Sequence, residues 1–270
     1  MIKLIATDMD GSFLRDDKSY DVARFERILK RLKNHDIKFV VASGNQYRQL
    51  TSKFPNDYKE LTFIAENGSH IVSKEKTIAQ HFQSGEEIEA LIRYIEKTFP
   101  EVAICLTGEK AGYLLETTND SVKDFLSLHL PVMVEVKHLQ PLPQDNFYKT
   151  VVVVPDGNSE PVIEAVSKEL SDLSLVPVAS GFGSIDLITK GMHKAWGLKQ
   201  LMTMWGISAE EVMAFGDNSN DIEMLTLASE SYAMANAGEA VKASAKYEAK
   251  TNEEDGVLDV IEAYLDDLGY

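Results

Sequence analysis

Lys3-Leu4-Ile5-Ala6-Thr7-Asp8-Met9-Asp10-Gly11-Ser12 is the stretch from which the fold is read. Lys3–Thr7 is a short apolar run of the kind that becomes a buried strand, and it ends in two aspartates one residue apart. Alternate residues of an extended chain point the same way, so Asp8 and Asp10 can aim both carboxylates at one spot. Gly11 then lets the chain turn sharply. In α/β sheets ligands gather beyond the carboxyl ends of the strands, which makes this strand end a candidate site.

Three further pieces share that placement. Ile37–Ala42 reads as a second strand and ends in Ser43-Gly44-Asn45, just before a helix. A hydroxyl and free backbone N–H groups at a helix start suit an anion. Val212–Phe215 reads as another strand and ends in Gly216-Asp217-Asn218-Ser219-Asn220-Asp221, again with carboxylates and amides before a helix. Lys194 follows a strand at Ile185–Ile188 and Gly191, near the start of a further helix. Taken singly, Asp8-Met9-Asp10-Gly11 is a capped turn, Ser43-Gly44 an ordinary turn and Lys194 a solvated lysine, while Gly216–Asp221 is as readily a metal site as a turn. Taken together, in this order, they supply a nucleophile, an acid/base, an oxygen cage for a hard metal and cationic phosphate ligands.

Working outward, apolar and amphipathic runs alternate. Tyr20–Leu32 has helical spacing through Val22, Phe25, Ile28, Leu29 and Leu32; Gln46–Phe54 is a helix and Leu61–Ala65 a third strand. Near the C-terminus, helices at Lys194–Trp205, Asp221–Ala228 and Gly256–Leu268 alternate with strands at Val212–Phe215 and Ser231–Ala235. The pattern predicts an α/β protein, a doubly wound, Rossmann-like parallel sheet covered on both faces. The middle differs. Strands at Val102–Leu106, Gly112–Glu116, Val132–Val136, Tyr148–Val154, Leu175–Ala179 and Ile185–Ile188 are grouped, with helices at Glu86–Phe99, Asp120–His129 and Glu160–Leu173. Short turns between neighbouring strands predict a mixed or antiparallel sheet. The expected organisation is a core of residues 1–82 and 190–270 with an α+β domain inserted at 83–189.

Bulk properties narrow the function. The 270 residues are 44% hydrophobic and 26% charged, with a formal net charge of -16. Such a surface repels nucleic acid and anionic lipid, so neither is an expected partner. It also repels phosphorylated metabolites, so a phosphate site would need a metal, a lysine or helix N-termini. No apolar run approaches the ~20 residues of a membrane span, and the N-terminal apolar stretch is too short for a signal peptide, which predicts a cytoplasmic protein. The single cysteine, Cys105, excludes an intramolecular disulfide and reads as a buried strand thiol.

The four pieces match, in order, the signatures of the haloacid dehalogenase-like phosphatases, and the chain resembles their Cof-type branch over nearly its whole length. Ala65-Glu66-Asn67-Gly68 and Ile185-Asp186-Leu187…Gly191-Met192-His193-Lys194 look like that branch's secondary signatures. Ala42–Tyr47 and Ser180-Gly181-Phe182-Gly183 resemble more narrowly its bacterial sugar-phosphate phosphatases. Ser12 stands where threonine is usual. Asn45 stands where arginine is usual, which removes a charge near the substrate mouth.

The resemblance implies a Mg²⁺-dependent phosphatase working through an aspartyl-phosphate. Asp8 would be the nucleophile and Asp10 the acid/base. Asp8, the Asp10 backbone carbonyl and Asp217 would bind Mg²⁺, with Asp221 assisting; Lys194, Ser43, Gly44 and Asn220 would hold phosphate. Glu66 and Asn67 are expected to support the site from behind, and Asn45 and Phe182 are candidates for touching substrate. His35, His70, His81, His129 and His138 are scattered without metal-like spacing. The expected substrate is a small soluble phosphate ester, a hexose or pentose phosphate first, with pyridoxal phosphate and a sugar phosphomutase reaction as alternatives. A non-catalytic phosphate sensor is disfavoured, because binding alone needs no nucleophile.

Overall fold

A computed structural model describes residues 1–181 and 183–269; Phe182, singled out above, lies outside the described residues, as does Tyr270. In chain order the elements are β1 (Leu4–Thr7), α1 (Val22–Asn34), β2 (Lys38–Ala42), α2 (Tyr47–Lys53), β3 (Thr62–Ala65), β4 (His70–Ser73), β5 (Lys76–Gln80), α3 (Gly85–Thr98), β6 (Ala103–Gly108), β7 (Gly112–Leu115), α4 (Asp120–Ser127) and β8 (Met133–Val136). There follow β9 (Phe147–Val153), α5 (Glu160–Glu169), β10 (Leu175–Gly181), β11 (Ser184–Thr189), α6 (Lys194–Trp205), β12 (Val212–Gly216), α7 (Ile222–Leu227), β13 (Glu230–Met234), α8 (Glu239–Lys242), β14 (Tyr247–Ala249) and α9 (Gly256–Asp267). By backbone contacts the chain divides into two units: Met1–Gly44, Phe54–Ile78 and His193–Tyr270 in the first, Asn45–Lys53 and Ala79–Met192 in the second. Among the described residues no helix is long and apolar enough to cross a membrane.

The first unit is built on a sheet ordered β14-β13-β12-β1-β2-β3-β4-β5. From β14 to β3 every neighbouring pair is parallel, and β4 returns antiparallel to β3. β1, β3 and β12 are buried throughout, as the near-continuous apolar runs of a doubly covered sheet require. The two faces separate cleanly on β3. Phe63 joins a cluster of rings with Phe54, Phe25 of α1 and Phe39. The next residue, Ile64, points the other way, against Gly197 of α6. α1 packs on α9, and α6 on α7. The chain runs outward from β1 through β2 and β3, then returns to lay β12 on the opposite side of β1. That reversal is the topological switch point, where open α/β sheets bind ligands.

The sequence does not announce the β4–β5 hairpin, for a local reason. Its turn is Lys74-Glu75, both left-handed at φ 50° and 60°, where Asn-Gly is the usual signal. β14 has three residues, two of them exposed, too few for a periodic pattern.

The second unit carries a sheet ordered β10-β11-β9-β6-β7-β8, antiparallel except for the parallel β7–β8 pair. Ile88, Leu91, Ile92 and Ile95 of α3 and Val162 and Val166 of α5 cover one face through Ile104, Leu106, Val152, Ile185 and Leu187. Cys105, Leu114, Val151 and Val153 meet Val122 and Leu126 of α4 on the other. Cys105 is fully buried. Lys149 of β9 and Asp186 of β11 form a buried ion pair, Nζ to Oδ2 at 2.6 Å.

Candidate active site

Asp8 is the first residue past β1. Its N–H donates to the Phe215 carbonyl at 3.0 Å, so the nucleophile candidate is tied to the last turn of the β1–β12 ladder. Its carboxylate is buried. Lys194, the first residue of α6, is buried as well, and its ammonium donates to Asp8 Oδ1 at 2.5 Å and to Asp221 Oδ1 at 2.7 Å. The backbone that delivers Lys194 is fixed by His193, the helix N-cap, whose Nδ1 accepts from the Trp196 N–H. Burial pushes the His193 pKa down, which suits a neutral acceptor. His193 is thus a capping residue of the helix that carries Lys194.

The turn after β12 presents Asp217 and folds Asp221 back underneath. Asp221 Oδ2 accepts from the N–H groups of Asp217 (3.1 Å) and Asn218 (3.0 Å), while its Oδ1 holds Lys194. One side chain therefore fixes both the turn and the lysine. Asp217 Oδ1 accepts from the Ser12 hydroxyl at 2.7 Å, which links the turn after β12 to the turn after β1. Gly11 sits between them at φ +83°, and a Cβ there would stand 2.4 Å from Asp217 Oδ2; both the conformation and the space require glycine.

Ser43 is buried at the end of β2, and its carbonyl accepts from the Asn67 N–H at 3.1 Å. Asn67 in turn accepts from Asn220 Nδ2 at 3.1 Å through its side-chain oxygen. Asn67, at φ 53°, so connects the ends of β2, β3 and β12, a supporting position behind Ser43, Gly44 and Asn220. Asp10 is half-buried, with its Oδ1 2.8 Å from Lys18 Nζ. Asn45 Oδ1 lies 3.3 Å from a ring nitrogen of His129.

Asp8, Asp217 and Asp221 each offer an oxygen within 4.8 Å of the others. Burial, then Asp221 and Asp217, push the Asp8 carboxyl up, against the pull of Lys194. Lys194 itself is held firmly protonated by Asp221 and Asp8 despite its burial. Burial, and next Asp221, push Asp217 up to about 6. Ionised, three carboxylates against one ammonium leave an uncompensated negative charge in a buried place. The donors are hard oxygens, which fits a small divalent cation such as Mg²⁺.

Two side chains that no sequence motif marks also reach this region: Asn236 Nδ2 donates to the Gly11 carbonyl (2.8 Å), and Asn252 Nδ2 donates to the Leu14 carbonyl (3.0 Å). Asn236 follows β13, a strand read in the sequence, so the strand-end signal that marked the other residues was present there too.

A family model described as haloacid dehalogenase-like hydrolase matches residues 5–261. The chain is 43% identical to the 5-amino-6-(5-phospho-D-ribitylamino)uracil phosphatase YbjI of Escherichia coli, over 98% of this chain and 96% of that one. It is 26% identical to YitU of Bacillus subtilis, which bears the same enzyme name, over 97% of both chains. A crystal structure of a Streptococcus mutans UA159 protein, 49% identical, superposes with a TM-score of 0.95 and covers 98% of this chain and 99% of its own.

Proposed function

This chain belongs to the haloacid dehalogenase-like hydrolases and is a phosphatase of small phosphate esters, and from that premise we propose that it hydrolyses the phosphate of a sugar or sugar alcohol through an aspartyl-phosphate on Asp8. The observation that carries the reading is the buried meeting of Asp8 with Lys194, Asp217 and Asp221 at the sheet's switch point.

In this reading Asp8 attacks phosphorus, the bond to the ester oxygen breaks, and Asp10 gives its proton to the departing alkoxide. Asp10 then takes a proton from the water that hydrolyses the acyl phosphate, which returns Asp8 as a carboxylate and releases inorganic phosphate. Asp8, the Asp10 carbonyl and Asp217 would hold Mg²⁺, with Asp221 beside them. The ion would neutralise charge on the phosphoryl oxygens. Lys194 keeps the Asp8 carboxylate aimed and, with Ser43, the Gly44 backbone and Asn220, offers hydrogen bonds to the phosphoryl group.

For the substrate, the relatives' names support the phosphorylated pentitol of 5-amino-6-(5-phospho-D-ribitylamino)uracil as the first candidate among such esters. The residues just named are committed to phosphate and metal, so the choice of leaving group falls to the inserted 83–189 domain.

The test is a phosphate-release panel of that ester, ribose 5-phosphate, glucose 6-phosphate and pyridoxal phosphate, with Mg²⁺ and after exhaustive chelation. The ribityl ester should show the highest kcat/KM, and chelation should abolish release. Full activity without divalent metal, or pentitol and sugar phosphates ranking last, would overturn the proposal.

A further inference from the structure

We propose that Asn236 and Asn252 are positioning residues, a two-amide brace that sets the loop carrying Asp10; this rests on the reading of Asp10 as the acid/base. The loop after β1 is closed by bonds of its own. Ser12 and Leu14 N–H groups donate to the Met9 carbonyl at 3.3 and 2.8 Å, and the Phe13 N–H donates to the Asp8 carbonyl at 3.3 Å. These bonds shape the turn, but they leave its position over the sheet to other contacts. The Ser12 hydroxyl supplies one of them, on Asp217 Oδ1 at 2.7 Å, and the Gly11 and Leu14 carbonyls supply two more. Asn236 Nδ2 donates to Gly11 at 2.8 Å. Asn252 Nδ2 donates to Leu14 at 3.0 Å and to Asp16 Oδ1 at 3.1 Å. The Asn252 backbone N–H donates to Asn236 Oδ1 at 3.3 Å, so the two residues are linked through the Asn252 main chain. Asp16 N–H to Glu253 and Arg15 to Asp255, both at 2.6 Å, extend the same attachment.

Asparagine suits both positions. Each side chain donates to a backbone carbonyl and Asn236 also accepts, a pair of tasks that neither a carboxylate, which only accepts, nor an ammonium, which only donates, can perform. A carboxylate at position 252 would also face the carboxylate of Asp16, to which Asn252 donates at 3.1 Å.

The brace matters to Asp10 more than to Asp8. Asp8 is fixed by the β1–β12 ladder and by Lys194. Asp10 pairs with Lys18, a residue of the same loop, and its backbone bridges to Leu14, the residue Asn252 holds. Its place relative to Asp8 therefore follows the loop, which Ser12 ties to Asp217 on one side and Asn236 and Asn252 hold on the other. A misplacement of about 1 Å in a reacting group costs as much as ~10²-fold in rate.

The experiment measures kcat/KM for a pentitol phosphate and for p-nitrophenyl phosphate in wild type, Asp10→Asn, Asn236→Ala and Asn252→Ala, with Tm for each. kcat/KM reports the steps through loss of the leaving group. An alkoxide needs a proton from Asp10, whereas p-nitrophenolate leaves without one. Asn236→Ala and Asn252→Ala should lose roughly 10- to 100-fold on the alkyl ester and less than about 3-fold on the aryl ester. Asn236 is exposed, so its alanine variant keeps the fold and decides the matter if Asn252→Ala does not fold. If Asp10→Asn discriminates between the esters but the asparagine variants lower both equally, or neither, the brace is refuted and the role of Asp10 stands. If Asp10→Asn itself fails to discriminate, the role of Asp10 falls, and the brace falls with it.

Discussion

At the scale of single residues the site is governed by burial of charge. Asp8 and Asp221 share one buried ammonium, and Asp217 stands beside them with its pKa raised. Removing Asp8 relieves repulsion, so Asp8→Asn should abolish phosphate release while its Tm stays at or above that of metal-free wild type. Removing Lys194 does the opposite. Lys194→Met strands two buried carboxylates, and breaking such a pair costs about 3–5 kcal/mol. We expect lost turnover together with a clear fall in urea midpoint. Asp217 gives a pH signature. Its pKa of about 6 in the folded chain lies above the ordinary aspartate value of 3.8, so ionising it opposes folding above about pH 6, and the penalty fades as pH falls from 6 toward 3.8. In metal-free protein, Asp217→Asn should therefore be more stable than wild type at pH 7, with the advantage shrinking as pH is lowered through that window. A constant difference across the titration would contradict the raised pKa.

At the scale of elements, α6 is the lever for Lys194. It packs on β3 through Gly197, where a Cβ would stand 2.6 Å from Ile64 Cγ2. Gly→Ala inside a helix ordinarily gains up to about 1 kcal/mol. Here overpacking against a fully buried isoleucine should outweigh that gain, for a net loss of roughly 1–3 kcal/mol, and should push Lys194 off Asp8. Thermal melts and kcat for Gly197→Ala check this. Ile64→Ala added to it should cost less than the two single losses summed, because the cavity accepts the new methyl group.

At the scale of the molecule, the proposed division of labour places chemistry on the strand ends of the first unit and selectivity in the insertion. Replacing residues 83–189 by the matching segment of a relative with another substrate preference should reorder the natural esters while leaving p-nitrophenyl phosphate hydrolysis within about an order of magnitude. An unchanged ranking would refute that division. Much of this architecture was legible along the chain. Apolar runs ending in Asp8, Ser43 and Asp217 announced a parallel sheet and its ligand-bearing edge, because strand periodicity and the clustering of polar residues at strand ends are local properties. The Lys74-Glu75 hairpin was not legible, since its left-handed turn lacks the residues that advertise one.

What the sequence by itself determined was the fold class, the family resemblance and the candidate residues Asp8, Asp10, Ser43, Gly44, Lys194, Asp217, Asn220 and Asp221. Only the tertiary structure decided how they are shared out: Asp221 locking both Lys194 and the Asp217 turn, His193 capping the helix behind them, Asn67 joining three strand ends, and Asn236 and Asn252 holding the loop of Asp10. The physical reason is that a strand or helix is written in spacings of two to four residues. A hydrogen bond such as that from Asn236 to Gly11, 225 residues apart, exists only once the sheet has brought the two strand ends together.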